Sequence, residues 1–212
     1  MSRTGLRIGG LMAVLALGAV ACNRPDAPPN APATSASPAN APATERVVGP
    51  LNPDEAVALA TMNDGLKNYI ALRNKLESGM PSVPTDATPV QIDQHQRELE
   101  KLVRQARATA KQGEIFTTAA QPVIKRLLAT VFGGPDGQQL KSSIMDENPV
   151  GVKLSVNGRY PDTVPISSVP PQVLQTLPRL TDGLEYRFIG DNLILLDVRA
   201  HAVADFIENA LP

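Results

Sequence analysis

The amino-acid sequence predicts an α+β fold, with an N-terminal helical hairpin and further helices followed by a small antiparallel β-sheet and a C-terminal helix. Two observations support this class. Apolar residues recur at helical spacing through residues 53–145, and after residue 150 they occur in short runs separated by turn residues. Helices that precede the strands, rather than alternating with them, are typical of α+β domains.

The helical hairpin is expected over residues 53–112. Asn52 can cap its first helix, Pro53 suits the first helical position, and Glu55 completes a capping box. A second helix is expected over residues 89–112. The apolar stripe of the hairpin could instead pair with another chain as a coiled coil. It covers only about three heptads and is interrupted at Arg73, which favours packing within the domain.

The mixed part of the domain, residues 113–212, is expected to contain two more helices and the sheet. The third helix begins at Gln121-Pro122, and a short fourth helix covers residues 136–145. Residues 152–156 alternate between apolar and polar, which predicts a half-buried strand. Residues 184–198 form two β-type runs around a glycine-containing turn and predict a hairpin.

The C-terminal residues 199–211 carry apolar side chains at helical spacing, and we expect a helix there. The alternative is a third strand over residues 202–207.

The composition narrows the classes of function. The net charge is -1, and basic residues are interleaved with acidic ones, so no field is expected that would attract nucleic acid. Aromatic residues make up 3% of the chain and tryptophan is absent, which leaves few platforms for stacking bases or sugars.

The first 21 residues have the three parts of a secretory signal. Arg3 and Arg7 give a basic start, residues 11–21 are apolar or small, and small residues precede the expected cleavage site. The apolar run is too short to span a membrane. Loss of the two arginines leaves 18 basic and 21 acidic residues, a net charge of about -3.

The motif Ala19-Val20-Ala21-Cys22 resembles the lipobox of bacterial lipoproteins, although Ala19 stands where a leucine is usual. The resemblance implies diacylglycerol transfer to the thiol of Cys22, cleavage before it, and acylation of the new amino group, which together give a stable anchor. An ordinary signal peptide cut after Ala21 is the alternative. Asn23 resembles the residue of lipoproteins that reach the outer membrane.

Residues 22–50 are expected to form a disordered tether behind the lipid anchor. They are rich in proline, alanine, serine and threonine, and they show no apolar periodicity. A segment of this kind holds a domain away from the membrane surface. Residues 51–212 are expected to form a single globular domain.

Few residues are candidates for catalysis or metal binding. His95 and His201 are the only histidines, and His95 is expected on a solvated helix face. On a helix, Asp197, His201 and Asp205 would share one face and could approach a divalent cation. They would, however, span about 12 Å, too far for one ion, so we expect no metal or other cofactor.

Two arginines are candidates for binding an anionic lipid or peptidoglycan group. Arg159 lies in a loop at a strand end, and Arg187 lies on the predicted hairpin. Ion pairs with Asp162 and Glu185 would account for them equally well.

The sequence therefore predicts a non-enzymatic binding module on the periplasmic face of the outer membrane, held by the lipid on Cys22 and directed at a protein or an envelope polymer. Short stretches of the sequence, such as residues 184–190, resemble stretches of uncharacterised exported bacterial proteins. Two alternatives remain: a carrier of a lipid or other hydrophobic ligand, and a hydrolase that uses His201 with a carboxylate.

Replacing Cys22 with serine should abolish lipid attachment, because a serine hydroxyl cannot replace the thiol as the acceptor of diacylglycerol. Cells labelled with a radioactive fatty acid should incorporate label into the natural chain and none into Cys22→Ser. Label incorporated into the variant would contradict the lipobox interpretation.

Overall fold

The computed structural model describes residues 50–147, 151–165 and 169–212. The predicted signal peptide, the Cys22 anchor and the tether up to residue 49 lie outside the described residues. The described part has the expected α+β class, with helices α1 Pro53–Ser78, α2 Pro89–Ala106, α3 Ala120–Phe132, α4 Gly137–Glu147 and α5 Pro171–Thr176, and strands β1 Leu184–Ile189, β2 Asn192–Asp197 and β3 Ala202–Ile207.

Capping boxes start the first two helices. The side chain of Asn52 accepts a hydrogen bond from the Glu55 amide at 2.9 Å, and the Glu55 carboxylate accepts one from the Asn52 amide at 3.0 Å. Thr88 and Gln91 make the same reciprocal pair at the start of α2. Both helices have proline at the first helical position, where no amide donor is lost from the helix.

The second helix is shorter than the sequence predicted, since it ends at Ala106 instead of continuing to residue 112. Arg107 leaves the helical region, and residues 107–119 form turns that lead into α3. The carboxylate of Asp205 accepts hydrogen bonds from the amides of Gly113, Ile115 and Phe116 at 2.8–3.0 Å. These bonds satisfy backbone donors that an uninterrupted helix would have bonded internally.

The sheet has the order β1-β2-β3, and both pairs are antiparallel. The predicted hairpin over residues 184–198 is confirmed, with Leu184 opposite Asp197 and Ile189 opposite Asn192. Gly190 begins its two-residue turn with φ +59°, a left-handed conformation that glycine adopts without steric cost. A β-bulge interrupts the pairing of β2 with β3 between Leu195 and Leu196.

The predicted C-terminal helix is wrong, and the alternative strand over residues 202–207 is correct. Every residue of β3 is buried, because the sheet is covered on both faces. A strand buried on both sides is apolar at nearly every position and loses the alternation that identifies a half-buried strand. The apolar residues at positions 203, 206 and 207 therefore also fitted helical spacing.

The strand predicted over residues 152–156 is also wrong, because these residues have no regular secondary structure. They belong to an irregular stretch, residues 151–165, that we call the cover segment. The side chains of Val152, Leu154 and Val156 are partly buried and pack against the sheet, which explains the alternating pattern. The segment pairs with β3 through a single bridge, between Arg159 and Ala202.

Two apolar layers enclose the sheet. One face packs with α1, α2, α3 and α4 in the main core, through alternate strand residues such as Tyr186, Phe188 and Leu195. The opposite face packs beneath the cover segment in a second layer that contains Tyr160, Val164, Ile189, Ile194, Leu196, Val203 and Phe206. None of the helices in the described residues is long and apolar enough to cross a bilayer.

Replacing Asp205 with asparagine should lower the free energy of unfolding by about 1–3 kcal/mol, because the amide nitrogen cannot accept the hydrogen bonds that a carboxylate oxygen accepts. Urea denaturation of Asp205→Asn and the natural domain measures this difference. Asp64→Asn, at a highly exposed aspartate of α1, serves as the control and should leave the midpoint unchanged. Equal midpoints for all three proteins would contradict the assigned role of Asp205.

Candidate functional site

A buried carboxylate shapes the turn between β2 and β3, residues 198–201. Asp197 is fully buried and accepts hydrogen bonds from the Tyr69 hydroxyl at 2.8 Å and from Nη1 of Arg73 at 3.2 Å. It also accepts hydrogen bonds from the amides of Arg199 and Ala200 at 2.9 and 3.1 Å. Burial and the neighbouring Asp197 raise the pKa of Tyr69 well above its usual value. The turn is thereby fastened to α1.

Two further contacts fix the turn and the strand end beside it. Nη2 of Arg73 donates to the main-chain oxygen of Asp182 at 2.6 Å, just before β1, so one guanidinium links α1 to two strand ends. On the other side, the Gln96 amide of α2 donates to the main-chain oxygen of Val198 at 3.2 Å. The turn therefore lies against both α1 and α2.

One flank of the turn carries the Glu77 cluster, which we define as Glu77, His95 and Arg199. Nη2 of Arg199 lies 2.6 Å from Oε2 of Glu77, and Nε2 of His95 lies 3.6 Å from Oε1 of Glu77. The side chain of His95 is 16% exposed, so the expectation that it lies on a solvated face is wrong. A groove of about 420 Å³ runs beside the cluster, lined by Asn74, Glu77, Ser78, Met80, Pro81, Ser82, Val83, His95 and Arg199.

The other flank carries the Arg159 cluster, which we define as Asp93, Arg97, Arg159, Asp162 and His201. Nη2 of Arg159 lies 2.7 Å from Asp93 and 3.1 Å from Asp162. Arg97 also reaches both carboxylates, at 2.7 and 3.5 Å. These pairs join the first turns of α2 to the cover segment.

His201 connects the turn to the cover segment in three ways. Its main-chain oxygen accepts the Tyr160 amide at 2.9 Å, its ring meets the Tyr160 ring edge-to-face at 5.6 Å, and its Nε2 lies 3.7 Å from Asp162. Its φ is +50°, a left-handed conformation that is uncommon for a residue with a side chain. The strained backbone therefore occurs at a residue whose side chain contacts the cover segment.

The electrostatics of the Arg159 cluster favour charged carboxylates and a neutral imidazole. A hydrogen bond from Arg159 lowers the pKa of Asp162, and one from Arg97 lowers the pKa of Asp93. Burial lowers the pKa of His201, and the nearby Arg159 lowers it further, although Asp162 and Asp93 act in the opposite direction.

The triad considered from the sequence is not assembled. Asp197 lies at the end of β2, His201 in the turn, and Asp205 in β3, and both carboxylates are occupied by the contacts described above. Within residues 50–147, 151–165 and 169–212, no three His, Cys, Asp or Glu side chains are grouped so that they could hold a metal ion.

Both arginines considered for anion binding are engaged in ion pairs. Arg159 pairs with Asp162, and Arg187 pairs with Glu185. These are the two ion pairs that the sequence offered as the alternative to anion binding. Each cation is thus neutralised by a neighbouring carboxylate.

Sequence reasoning missed the residues that position the turn, above all Arg73. A signal was present, because Arg73 interrupts the apolar stripe of α1 four residues after Tyr69, on the same helix face. A charged residue on a buried face needs an opposite charge, but the sequence does not identify a partner 124 residues away.

Exposed apolar side chains accompany the two clusters. Among the described residues, the exposed large hydrophobic side chains are Val57, Val83, Val90, Ile92 and Leu174. Three of these five fall within residues 83–92. Val83 lines the groove beside the Glu77 cluster, and Val90 lies one helical turn before Asp93 of the Arg159 cluster.

Comparisons with protein-family models, with curated proteins and with solved structures found no match to this chain.

Removing the imidazole of His201 should flatten the dependence of stability on pH. The lowered pKa of His201 favours the neutral form in the folded state, so its contribution to stability is complete above the unfolded value of about 6.5. That contribution is lost as the pH falls through the folded pKa. His201→Asn keeps a residue that tolerates the left-handed φ, and Asp93 and Asp162 remain charged in this range.

Urea midpoints measured between pH 7.5 and 5 compare the two proteins. The natural domain should lose more stability on acidification than His201→Asn does. Parallel curves, or a steeper loss in the variant, would contradict the assignment.

Proposed function

We propose that this chain is a bacterial envelope lipoprotein, anchored through Cys22 to the outer membrane on its periplasmic side, whose domain is a non-enzymatic module that binds a protein partner. The proposed binding site is the turn surface, which we define as residues 198–201, the Glu77 and Arg159 clusters, Val83 and Val90. The observation that carries the proposal is the concentration of exposed apolar side chains beside ion pairs on this one surface.

The chemistry of the turn surface supports a protein as the partner. Protein interfaces combine exposed apolar side chains with arginines whose charges are partly removed from water. The charges on and beside this surface nearly balance, since they comprise the carboxylates of Glu77, Asp93, Asp162 and Asp182 and the guanidiniums of Arg97, Arg159 and Arg199. A nearly neutral, mixed surface gives no preference for a polyanion.

The ion pairs also support a preformed surface. Arg159 is bound by two carboxylates from different elements, and the turn is fixed by the buried Asp197. Side chains already held in one conformation lose less entropy when a partner binds.

The hydrolase alternative has less support than the binding role. The carboxylate nearest to His201 is Asp162, and two arginine side chains hold it, which gives it a structural use. The carrier alternative is supported by a cavity of about 240 Å³, which is lined in part by Ile189 of the second apolar layer.

A photo-crosslinking residue at position 90 should capture one discrete protein from intact envelopes. Val57 provides a matched control, because Val57 and Val90 are 65% and 64% exposed and both lie in the first turns of a helix. The full lipid-anchored chain is used in both cases. We expect the crosslinked adduct to form from position 90 and not to form from position 57.

A second pair of variants tests whether the adduct depends on the turn surface. Arg97→Ala should weaken the adduct at position 90, whereas Lys101→Ala should leave it unchanged. These two cations of α2 are 52% and 53% exposed, and each pairs with an acid of the same helix. An adduct whose size falls to that of the free chain on treatment with a peptidoglycan hydrolase would replace the protein by an envelope polymer. Equal adducts from positions 57 and 90 would refute the proposed surface.

A further inference from the structure

We infer that the open end of the second apolar layer binds one aliphatic chain with a cationic head group, held between residues 151–152 of the cover segment and the β1–β2 turn. This inference goes beyond the protein-binding role and does not depend on it. The two sites use different residues and lie at opposite ends of β2, which begins at Asn192 and ends at Asp197.

Among the described residues, backbone hydrogen bonds attach the cover segment to the sheet only at residues 157–160. The amides of Asn157 and Tyr160 donate to main-chain oxygens of Val203 and His201, and the amide of Val203 donates to Gly158, all at 2.8–2.9 Å. Among the described residues, no backbone hydrogen bond joins residues 151–156 to a strand. The first half of the segment therefore rests on the sheet through side chains alone, and it can move aside at low cost.

A cavity lies where this loosely attached half begins. Its volume is about 240 Å³, and its lining residues are Met145, Gly151, Val152, Ile189, Gly190, Asp191 and Asn192. An apolar protein cavity of about 150 Å³ is large enough to hold benzene. Ile189 belongs to the second apolar layer and Val152 packs against it, so a chain entering here meets a continuous apolar surface.

The head group is indicated by the charge at the cavity. Asp191 is the one charged residue among the described residues that line the cavity. Its main-chain oxygen accepts the amides of Ala210 and Leu211 at 2.7 and 3.1 Å, which fixes the backbone of the turn. In the described part of the chain, its carboxylate has no hydrogen-bond or ion-pair partner. A free carboxylate beside an apolar cavity attracts an ammonium group and repels a fatty acid.

Binding of decyltrimethylammonium to the Cys22→Ser variant of the processed chain, residues 22–212, tests this site. This variant lacks the proposed lipid and can be studied without detergent. Titration calorimetry below the micelle concentration should show saturable binding with one ligand per chain. Amide NMR shifts should concentrate at Val152, Ile189 and Gly190. Sodium undecanoate, which has the same ten-carbon tail on a carboxylate, should bind at least about tenfold more weakly, a difference of roughly 1.4 kcal/mol.

Variants separate the head group from the chain. Asp191→Asn should remove most of the preference for the ammonium over the carboxylate, and its backbone contacts should be preserved. Val152→Gln should weaken both ligands, while Lys153→Gln, at the exposed neighbouring position, should weaken neither. The inference is overturned by the absence of saturable binding, by equal affinity for both head groups, or by binding that neither Asp191→Asn nor Val152→Gln alters.

Discussion

A carboxylate removed from water must be paired and hydrogen-bonded, and Asp197 meets this requirement through α1 and through its own turn. Arg73 supplies the opposite charge, Tyr69 supplies a hydroxyl, and the amides of residues 199 and 200 supply the remaining donors. The same guanidinium reaches the backbone before β1. Helix, hairpin and turn therefore adopt one relative arrangement, and the ion pairs on both flanks of the turn depend on it.

The sheet gives the domain two distinct surfaces. The helices cover one face in the main core, while the cover segment closes the other and is fastened chiefly at residues 157–160. At that fastened end, His201 and Arg159 join the turn to α2 and to the cover segment. At the other end, the described residues of the cover segment contact the sheet through apolar side chains and without backbone hydrogen bonds. A rigid polar junction and a looser apolar opening suit different ligands, which is why we assign them different partners.

Local chemistry explains what could be predicted. The capping residues Asn52 and Thr88, the spacing of helical apolar residues and the glycine turn of the hairpin act over a few residues, and they led to the α+β class. β3 was assigned to the wrong class because burial on both faces removes the alternation of a strand. The turn surface could not be predicted, since Arg73, Asp182 and Asp197 meet only after the chain has folded.

The central claim is that Arg73 and Asp197 act as one unit that holds the turn. A double-mutant cycle of Arg73→Met and Asp197→Leu, measured by urea denaturation, tests it most directly. Each single change should lower the free energy of unfolding by about 3–5 kcal/mol, because it leaves a buried charge or buried donors without a partner. In the double variant, the loss of free energy of unfolding should be at least about 1 kcal/mol smaller than the sum of the two single losses. Costs that add within about 0.5 kcal/mol would show that the two residues act independently and would contradict the account.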